Sequence, residues 1–167
     1  METEGNLSPE SADDARAAFD AAGPTAKQVV REAAKAMEFD REEYRERVTG
    51  PVVERARNVL FADRLAVTVG TREEFDAWVE DNPGYEVALF GSPDVDRVVW
   101  HAAPFAGKVV AATFQNERDA AVGTLRRQAF SRVYRPRFDG GEESSEEHAE
   151  SATGPPARED DGTGGGE

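Results

Sequence analysis

The chain has 167 residues, of which 38% are hydrophobic, and 34 acidic residues against 20 basic ones give a formal net charge of −14. Only three of the basic residues are lysines. This balance is typical of a protein kept soluble in a salt-rich cytosol, and it disfavours contact with nucleic-acid phosphates and anionic lipid heads. Because the chain has no cysteine, it cannot form disulfides, iron–sulfur clusters, thiolate zinc sites or cysteine nucleophiles.

Neither a secretory signal nor a membrane-spanning run is present in the sequence. The first residues, Met1 to Gly5, include acids where a signal peptide carries bases. No run approaches the roughly 18 apolar residues that a membrane helix needs. We therefore expect a cytoplasmic protein with no membrane partner.

Apolar residues recur at helical spacing between residues 8 and 63, after residues 1–7, which we expect to be flexible. The pattern predicts four helices before the first strand. The first runs from Ser8-Pro9 to a stop at Gly23-Pro24, the second carries a stripe from Ala26 to Met37, the third follows a cap at Asp40, and the fourth is entered through Gly50-Pro51.

The hydrophobic period changes from 3.6 to 2 after Asp63, which indicates strands. Four strands are predicted, at Leu65–Val69, Tyr85–Phe90, Arg97–Ala103 and Lys108–Phe114. A capping box at Thr71 opens a short helix after the first strand, and a cap at Asn116 opens a last helix that runs to about Tyr134.

This element order predicts one α+β domain over residues 8–138, an N-terminal helical block followed by β-α-β-β-β-α. The first two strands are joined through a helix, which is compatible with a parallel orientation by a right-handed crossover, whereas the last three have loops short enough for an antiparallel meander. The result is a small mixed sheet in a two-layer arrangement, covered on one face mainly by the last helix.

Residues 139–167 form an acidic tail rich in Gly, Ser and Pro, with ten acids and a single base, Arg158. The tail has no large apolar side chain that could offset the entropy of ordering, so we expect it to be disordered. Its simplest role is to keep the protein soluble. A sharper alternative is that it shields a basic patch of the same chain.

Such a patch precedes the tail, because residues 125–138 interleave five arginines with three aromatic residues. Its candidate interaction residues are Arg126, Arg127, Phe130, Arg132, Tyr134 and Arg135. The pattern is compatible with a docking surface for a protein and also resembles a nucleic-acid stripe. Arginines in the last turns of a helix also complement the helix dipole and cap carbonyls, which explains them without any partner.

A candidate small-molecule pocket lies near the predicted hairpin of the last two strands, where one register pairs Trp100 with Ala112 and His101 with Ala111. It would place His101 and Thr113 on one face over small residues, with the amides of Gln115 and Asn116 at the strand end. A lone strand histidine without a nearby acid is more typical of a half-buried structural residue. We predict neither a catalytic residue nor a metal site.

A winged-helix interpretation of residues 24–63 rests on three short helices before a strand. The recognition helix would be Val52–Ala62, which offers Arg55, Arg57 and Asn58. The glutamates that surround it in the sequence weaken binding to nucleic acid. Phosphate-binding, nucleophile-elbow, zincin and calcium-loop motifs are absent, so no cofactor is predicted.

Three segments carry a resemblance to a known family: residues 35–44, residues 100–105 and residues 112–134. They resemble an uncharacterised domain family of halophilic archaea, a domain of unknown function, over roughly residues 8–135. The resemblance implies a haloarchaeal cytosolic origin, and it supplies no activity, cofactor or catalytic residue.

The function is not established by the sequence. The absence of a catalytic constellation favours a non-enzymatic interaction or adaptor protein with a protein partner that docks on residues 125–138. The alternatives are a nucleic-acid-binding regulator with winged-helix-like helices and an acidic tail, and an enzyme or small-molecule binder that uses the His101 region.

Overall fold

A computed structural model describes residues 1–139 of the chain. Most of the predicted acidic tail, residues 140–167, lies outside the described residues. Asp139, the first residue of that predicted tail, is helical, and its carboxylate lies 3.7 Å from Nε of Arg135. The boundary of the folded part is therefore at least one residue later than predicted.

Helix α1, Ala12–Ala36, is a single element in which Pro24 is internal. The predicted stop at Gly23-Pro24 and the separate second helix were therefore wrong. Its N-cap is Ser11, whose side chain accepts a hydrogen bond from the amide of Asp14. An internal proline costs about 3 kcal/mol, and burial of Phe19, Ala22 and Ala26 along the same helix contributes toward offsetting that cost.

Two further helices follow as predicted, α2 (Arg41–Arg47) and α3 (Gly50–Asp63). The Asp40 side chain caps α2 by accepting a hydrogen bond from the amide of Glu43 at 2.8 Å. Proline in the first turn of α3 is well placed because the amides there have no helical partner. The helical block thus contains three helices instead of four.

The remaining elements build a five-stranded mixed sheet with the order β1-β2-β4-β5-β3. They are β1 (Glu2–Glu4), β2 (Val67–Thr71), α4 (Arg72–Asp81), β3 (Glu86–Phe90), β4 (Arg97–Ala103), β5 (Lys108–Phe114) and α5 (Arg118–Ala129). The capping box predicted at Thr71 and Glu74 opens α4. The predicted α+β class with a mixed sheet is confirmed.

Strand neighbours differ from the prediction. Strand β2 pairs with β4 in antiparallel orientation, and β3 pairs in parallel with β5 at the far edge of the sheet. Only β4 and β5 form the predicted antiparallel hairpin. Helix α4 makes the longer crossover possible, because ten residues of helix extend about 15 Å and strands are spaced about 4.8 Å apart.

Residues 1–7 are held on the sheet, which corrects the expectation that they are flexible. Strand β1 pairs with β2 through Thr3 and Thr68. The Arg118 guanidinium lies 2.6 Å from the Glu4 carboxylate and 2.9 Å from that of Glu2. This double ion pair fixes the edge strand to the start of α5.

The register of the β4–β5 hairpin is shifted by one residue from the predicted one. Trp100 pairs with Ala111, and His101 pairs with Val110. Because side chains alternate along a strand, the shift moves Thr113 to the face of Trp100, opposite His101. A turn at Pro104–Ala106 and Gly107, whose φ is 61°, closes the hairpin between Ala103 and Lys108.

Helix α5 begins at Arg118 instead of at the predicted cap, Asn116. Glu117 occupies the N-cap position without a side-chain hydrogen bond. The helix then continues through a π-helical turn, Phe130–Tyr134, and residues 135–139 are again helical. Among residues 1–139, no helix is long and apolar enough to cross a membrane.

Both faces of the sheet are buried, by different helices. The main core lies between one face and helices α1, α3 and α5, and includes Phe61, Leu65, Val110 and Leu125. On the other face, α4 packs Phe75 against Trp100, with ring centroids 5.2 Å apart. The π-helical turn contributes buried residues to the main core.

Replacement of Gly91 by alanine tests the packing between β3 and β5. Gly91 has φ 101°, and a Cβ atom there would overlap Oγ1 of Thr113. We expect Gly91→Ala to lower the free energy of unfolding by about 1–3 kcal/mol because of backbone strain and this overlap. Urea denaturation measures the change.

Gly84→Ala is the matched control, since a Cβ at Gly84 meets no atom within 4 Å. The double variant Gly91→Ala/Thr113→Ala should recover the steric part of the loss. Equal stability of the Gly91→Ala and Gly84→Ala proteins would contradict this account of the contact.

Candidate functional site

A cleft of about 220 Å³ opens between α1, α3 and the helical residues that follow α5. Its floor is formed by Phe19, Phe130 and Phe138. Phe138 stacks on Phe19 with ring centroids 4.3 Å apart. The floor therefore joins the C-terminal end of the described chain to the first helix.

Four arginines line this cleft, which we call the arginine cleft. They are Arg16 from α1, Arg55 and Arg57 from α3, and Arg135 from the residues after the π-helical turn. The acidic residues of the lining are Glu54 and Asp139, so the cleft has a formal charge of +2 within a chain of −14. The cleft is therefore a positively charged region of a negatively charged protein.

Arg57 lies over the aromatic floor. Its guanidinium carbon is 4.0 Å from the centroid of the Phe19 ring, a cation–π contact. Its Nη2 is 4.0 Å from Oε1 of Glu54, and its side chain is 27% exposed. Within residues 1–139, the buried Nε of Arg57 has no hydrogen-bond partner. Arg57 is thus positioned by the ring and keeps donor capacity.

The other arginines have different environments. Arg16 donates from Nη1 to the carbonyl of Phe138 at 3.2 Å, which secures the C-terminal end of the floor. Arg135 is 61% exposed and contacts Asp139. Arg55 is exposed, and its side chain forms no hydrogen bond or ion pair with the described residues. Arg55 and Arg135 are therefore the arginines most available to a ligand.

This arrangement is suited to binding anions. A guanidinium presents a planar set of donors that matches a carboxylate or a phosphate in a bidentate manner. The rings below are 6–7% exposed, so they fix the guanidinium groups in place and offer little apolar surface of their own. Across residues 1–139, no group of three or more side chains is arranged to hold a metal ion.

His101, the centre of the candidate pocket, is buried in the main core and is 1% exposed. Its Nδ1 lies 2.7 Å from the carbonyl of Ala66, and its Nε2 lies 2.6 Å from the hydroxyl of Tyr134. The carbonyl can only accept, so Nδ1 donates to it and Nε2 accepts from the tyrosine. Burial lowers the pKa of His101, and the neutral ring links β4 to the π-helical turn.

The residues of the candidate pocket are not brought together. Thr113 lies on the sheet face opposite His101, under the backbone of Gly91. Gln115 and Asn116 are exposed in the bend after β5. Because both ring nitrogens of His101 already have partners, this histidine has a structural role.

The candidate surface on residues 125–138 is divided between several environments. Phe130 and Tyr134 are core residues, 6% and 0% exposed. Arg126 donates from Nε to the carbonyl of Leu65 at 3.0 Å, and Arg132 lies 4.2 Å from the centroid of the Phe90 ring. Arg127 is exposed on α5. Of the six candidate residues, only Phe130 and Arg135 line the arginine cleft.

The winged-helix interpretation was wrong in its arrangement of helices. Residues 24–36 belong to α1, so three separate short helices do not precede β2. The residues proposed for recognition, Arg55, Arg57 and Asn58, instead line the arginine cleft. Sequence reasoning missed Arg16, Phe19 and Phe138, since nothing in their local pattern distinguishes them from ordinary helix residues.

Residues 6–135 match a family of unknown function, DUF5809. The chain belongs to this family. All four arginines of the cleft lie inside the part that matches DUF5809, whereas Phe138 and Asp139 follow it. No curated protein and no solved structure matches the chain.

Buried His101 makes the stability of this DUF5809 protein depend on pH. Its folded-state pKa is below the usual 6.5, so the unfolded chain binds the proton more readily. Stability is full above about pH 6.5 and falls below it, by up to about 1.4 kcal/mol for each pH unit. Urea titrations between pH 7.5 and pH 5.5, values chosen to bracket the histidine and to limit the titration of carboxylates, measure this slope.

His101→Gln is the control, because it removes the titrating ring. The natural chain and His101→Gln contain the same acidic residues. The difference between their pH slopes of unfolding free energy is therefore the contribution of His101. If both proteins lost the same stability over this pH range, His101 would not be the group responsible.

Proposed function

We propose that this protein is a non-enzymatic interaction protein that binds a carboxylate-rich segment of a partner protein in the arginine cleft. The observation that carries the proposal is the convergence of four arginines on a floor of three aromatic rings. Buried aromatic residues and arginines are the residue types enriched at binding hot spots. The cleft combines them in one concave site.

A peptide fits this site better than a nucleic acid does. The cleft has a formal charge of +2, and the chain as a whole is strongly acidic. A duplex would extend its phosphates well beyond a cleft of about 220 Å³, over a protein whose net charge is negative. A peptide can place one or two carboxylates on the arginines without extending beyond the cleft.

We also propose that the protein works in the salt-rich cytosol of a halophilic archaeon. The acid excess and the use of arginine instead of lysine support this origin. Salt screens exposed ion pairs strongly, so a site that relied on charge alone would lose its partner. The Phe19 ring holds the Arg57 guanidinium in place, so contacts in the cleft form at short range, where salt screens charges least.

Binding is tested with a short fluorescent peptide that contains glutamates and phenylalanine, and with the same peptide in which every glutamate is glutamine. We expect the acidic peptide alone to bind. Arg55→Gln and Arg135→Gln should each weaken binding about tenfold, the loss of about 1.4 kcal/mol that a charge-assisted contact supplies. Fluorescence anisotropy measures Kd.

Arg45→Gln is the matched control, because Arg45 is exposed on α2 and lies outside the cleft. The measurements include the amide-tail variant, a full-length chain in which every acid after residue 139 is replaced by its amide. The proposal is overturned if neither full-length protein binds the acidic peptide, or if Arg45→Gln weakens binding as much as Arg55→Gln. Stronger binding of a single-stranded oligonucleotide would favour the nucleic-acid alternative.

The salt-rich habitat predicts that KCl stabilises the fold. A chain with a formal charge of −14 repels itself, and screening relieves that repulsion. We expect Tm to rise by at least about 5 °C, on the order of 1 kcal/mol, between low salt and 2 M KCl. Circular dichroism melts measure Tm.

The amide-tail variant, with a formal charge of −5, should show a smaller rise. A Tm that is constant or falls with KCl would contradict the proposed habitat. The peptide experiment does not depend on this outcome, so the two proposals fail separately.

A further inference from the structure

We infer that the acidic C-terminal segment of the same chain, residues 140–167, occupies the arginine cleft and competes there with the partner. The binding of the segment to the cleft is inferred from the position and the charge of the cleft. The competition rests on the proposed function, because it requires a partner that uses the same site. The segment would act as an intramolecular competitor, and a partner would need enough affinity to displace it.

The point at which the segment leaves the folded part supports this inference. Phe138 is part of the cleft floor, and Asp139 is part of its lining. Residue 140 therefore starts at the rim of the cleft. An extended chain spans about 3.5 Å for each residue, so Glu142 and Glu143 can reach every part of the site without any rearrangement of the fold.

The charge of the segment complements the cleft. Residues 140–167 contain nine acids against one base, Arg158. The acids are Glu142, Glu143, Glu146, Glu147, Glu150, Glu159, Asp160, Asp161 and Glu167. Residues 1–139 as a whole have a net charge of −6 and repel the segment. The cleft, at +2, attracts it locally, at the point where the segment begins.

Two arginines of the cleft are available to a carboxylate of the segment. Arg55 is exposed and makes no hydrogen bond or ion pair among residues 1–139, and Arg135 is exposed beside Asp139. Exposed arginines also occur elsewhere in the fold, for example Arg45 on α2, but those of the cleft lie beside the point at which the segment begins. A carboxylate a few residues after Asp139 therefore reaches the guanidinium groups of the cleft first.

The covalent connection favours this occupant over one from solution. A short connection gives an effective concentration in the millimolar range. Even a weak carboxylate–arginine contact is then substantially populated. A partner must exceed this competition, which multiplies its apparent Kd by one plus the ratio of the effective concentration to the intrinsic Kd of the segment.

The absence of cysteine allows a direct test in the full chain. Ser151→Cys provides a single attachment point for a nitroxide spin label. We expect paramagnetic broadening of the amide resonances of Arg16, Arg55 and Asn58 and none in α4, which lies on the other face of the sheet. Some broadening is expected wherever the fold lies close to residue 139, because the labelled segment is tethered there. The comparison of arginine variants therefore decides the result.

The decisive comparison is between Arg55→Gln/Arg135→Gln and the control Arg45→Gln. The double variant should reduce the broadening at α1 and α3 by more than half, and the control should leave it unchanged. Unchanged chemical shifts in α4 verify that each variant is folded. The inference is overturned if the labelled natural chain, the double variant and the Arg45→Gln control show equal broadening. It is also overturned if the broadening persists when the acids of residues 140–167 are replaced by amides.

The competition is measured with the acidic peptide and the amide-tail variant. We expect this variant to bind the peptide about tenfold more tightly than the natural chain, because the internal competitor has lost its charge. Equal affinities, together with label broadening that does not depend on the arginines, overturn the inference and leave the proposed function standing. Arginine-dependent broadening without peptide binding overturns only the proposed function.

Discussion

The stacking of Phe138 on Phe19 is the contact on which the candidate site depends. The two ring centroids are 4.3 Å apart, and the contact attaches the last described helical turn to α1. Such a pair contributes about 0.5–1.5 kcal/mol beyond the burial of its surface. Arg57 then lies over the other side of this assembly, on Phe19. Together with the hydrogen bond from Arg16 to the Phe138 carbonyl, the stack holds Arg135 and Asp139 beside α3 as the third wall of the cleft.

The local elements of the fold are largely readable from the sequence, because their signals are short-range. The caps at Asp40 and Thr71 act on amides three residues away, and strand periodicity places β4 and β5. The errors are tertiary in origin. Helix α1 continues through Pro24 because its buried alanines pack on both sides, and β3 pairs with β5 because a helical crossover can carry the chain past two strands as readily as to the nearest one.

The site was less predictable than the fold because it is assembled from three segments that are distant in the sequence. The arginine-rich segment before the tail and the arginines of α3 were both noticed, but as parts of different surfaces. The sequence pattern does not show the direction in which each side chain points. Phe130 and Tyr134 are buried in the core, whereas Arg135 lines the cleft. His101 shows the same limit, since a one-residue change of register placed it opposite Thr113.

The physical difficulty for a site of this kind is salt. At about 1 M salt the screening length is only about 3 Å, so charges attract each other at contact distance and no longer steer a partner from afar. The acidic segment that we propose as the occupant does not need steering, because the covalent connection supplies its concentration at the rim. In concentrated salt such an occupant would keep this advantage, whereas a partner from solution would have to gain its affinity from contacts made at short range.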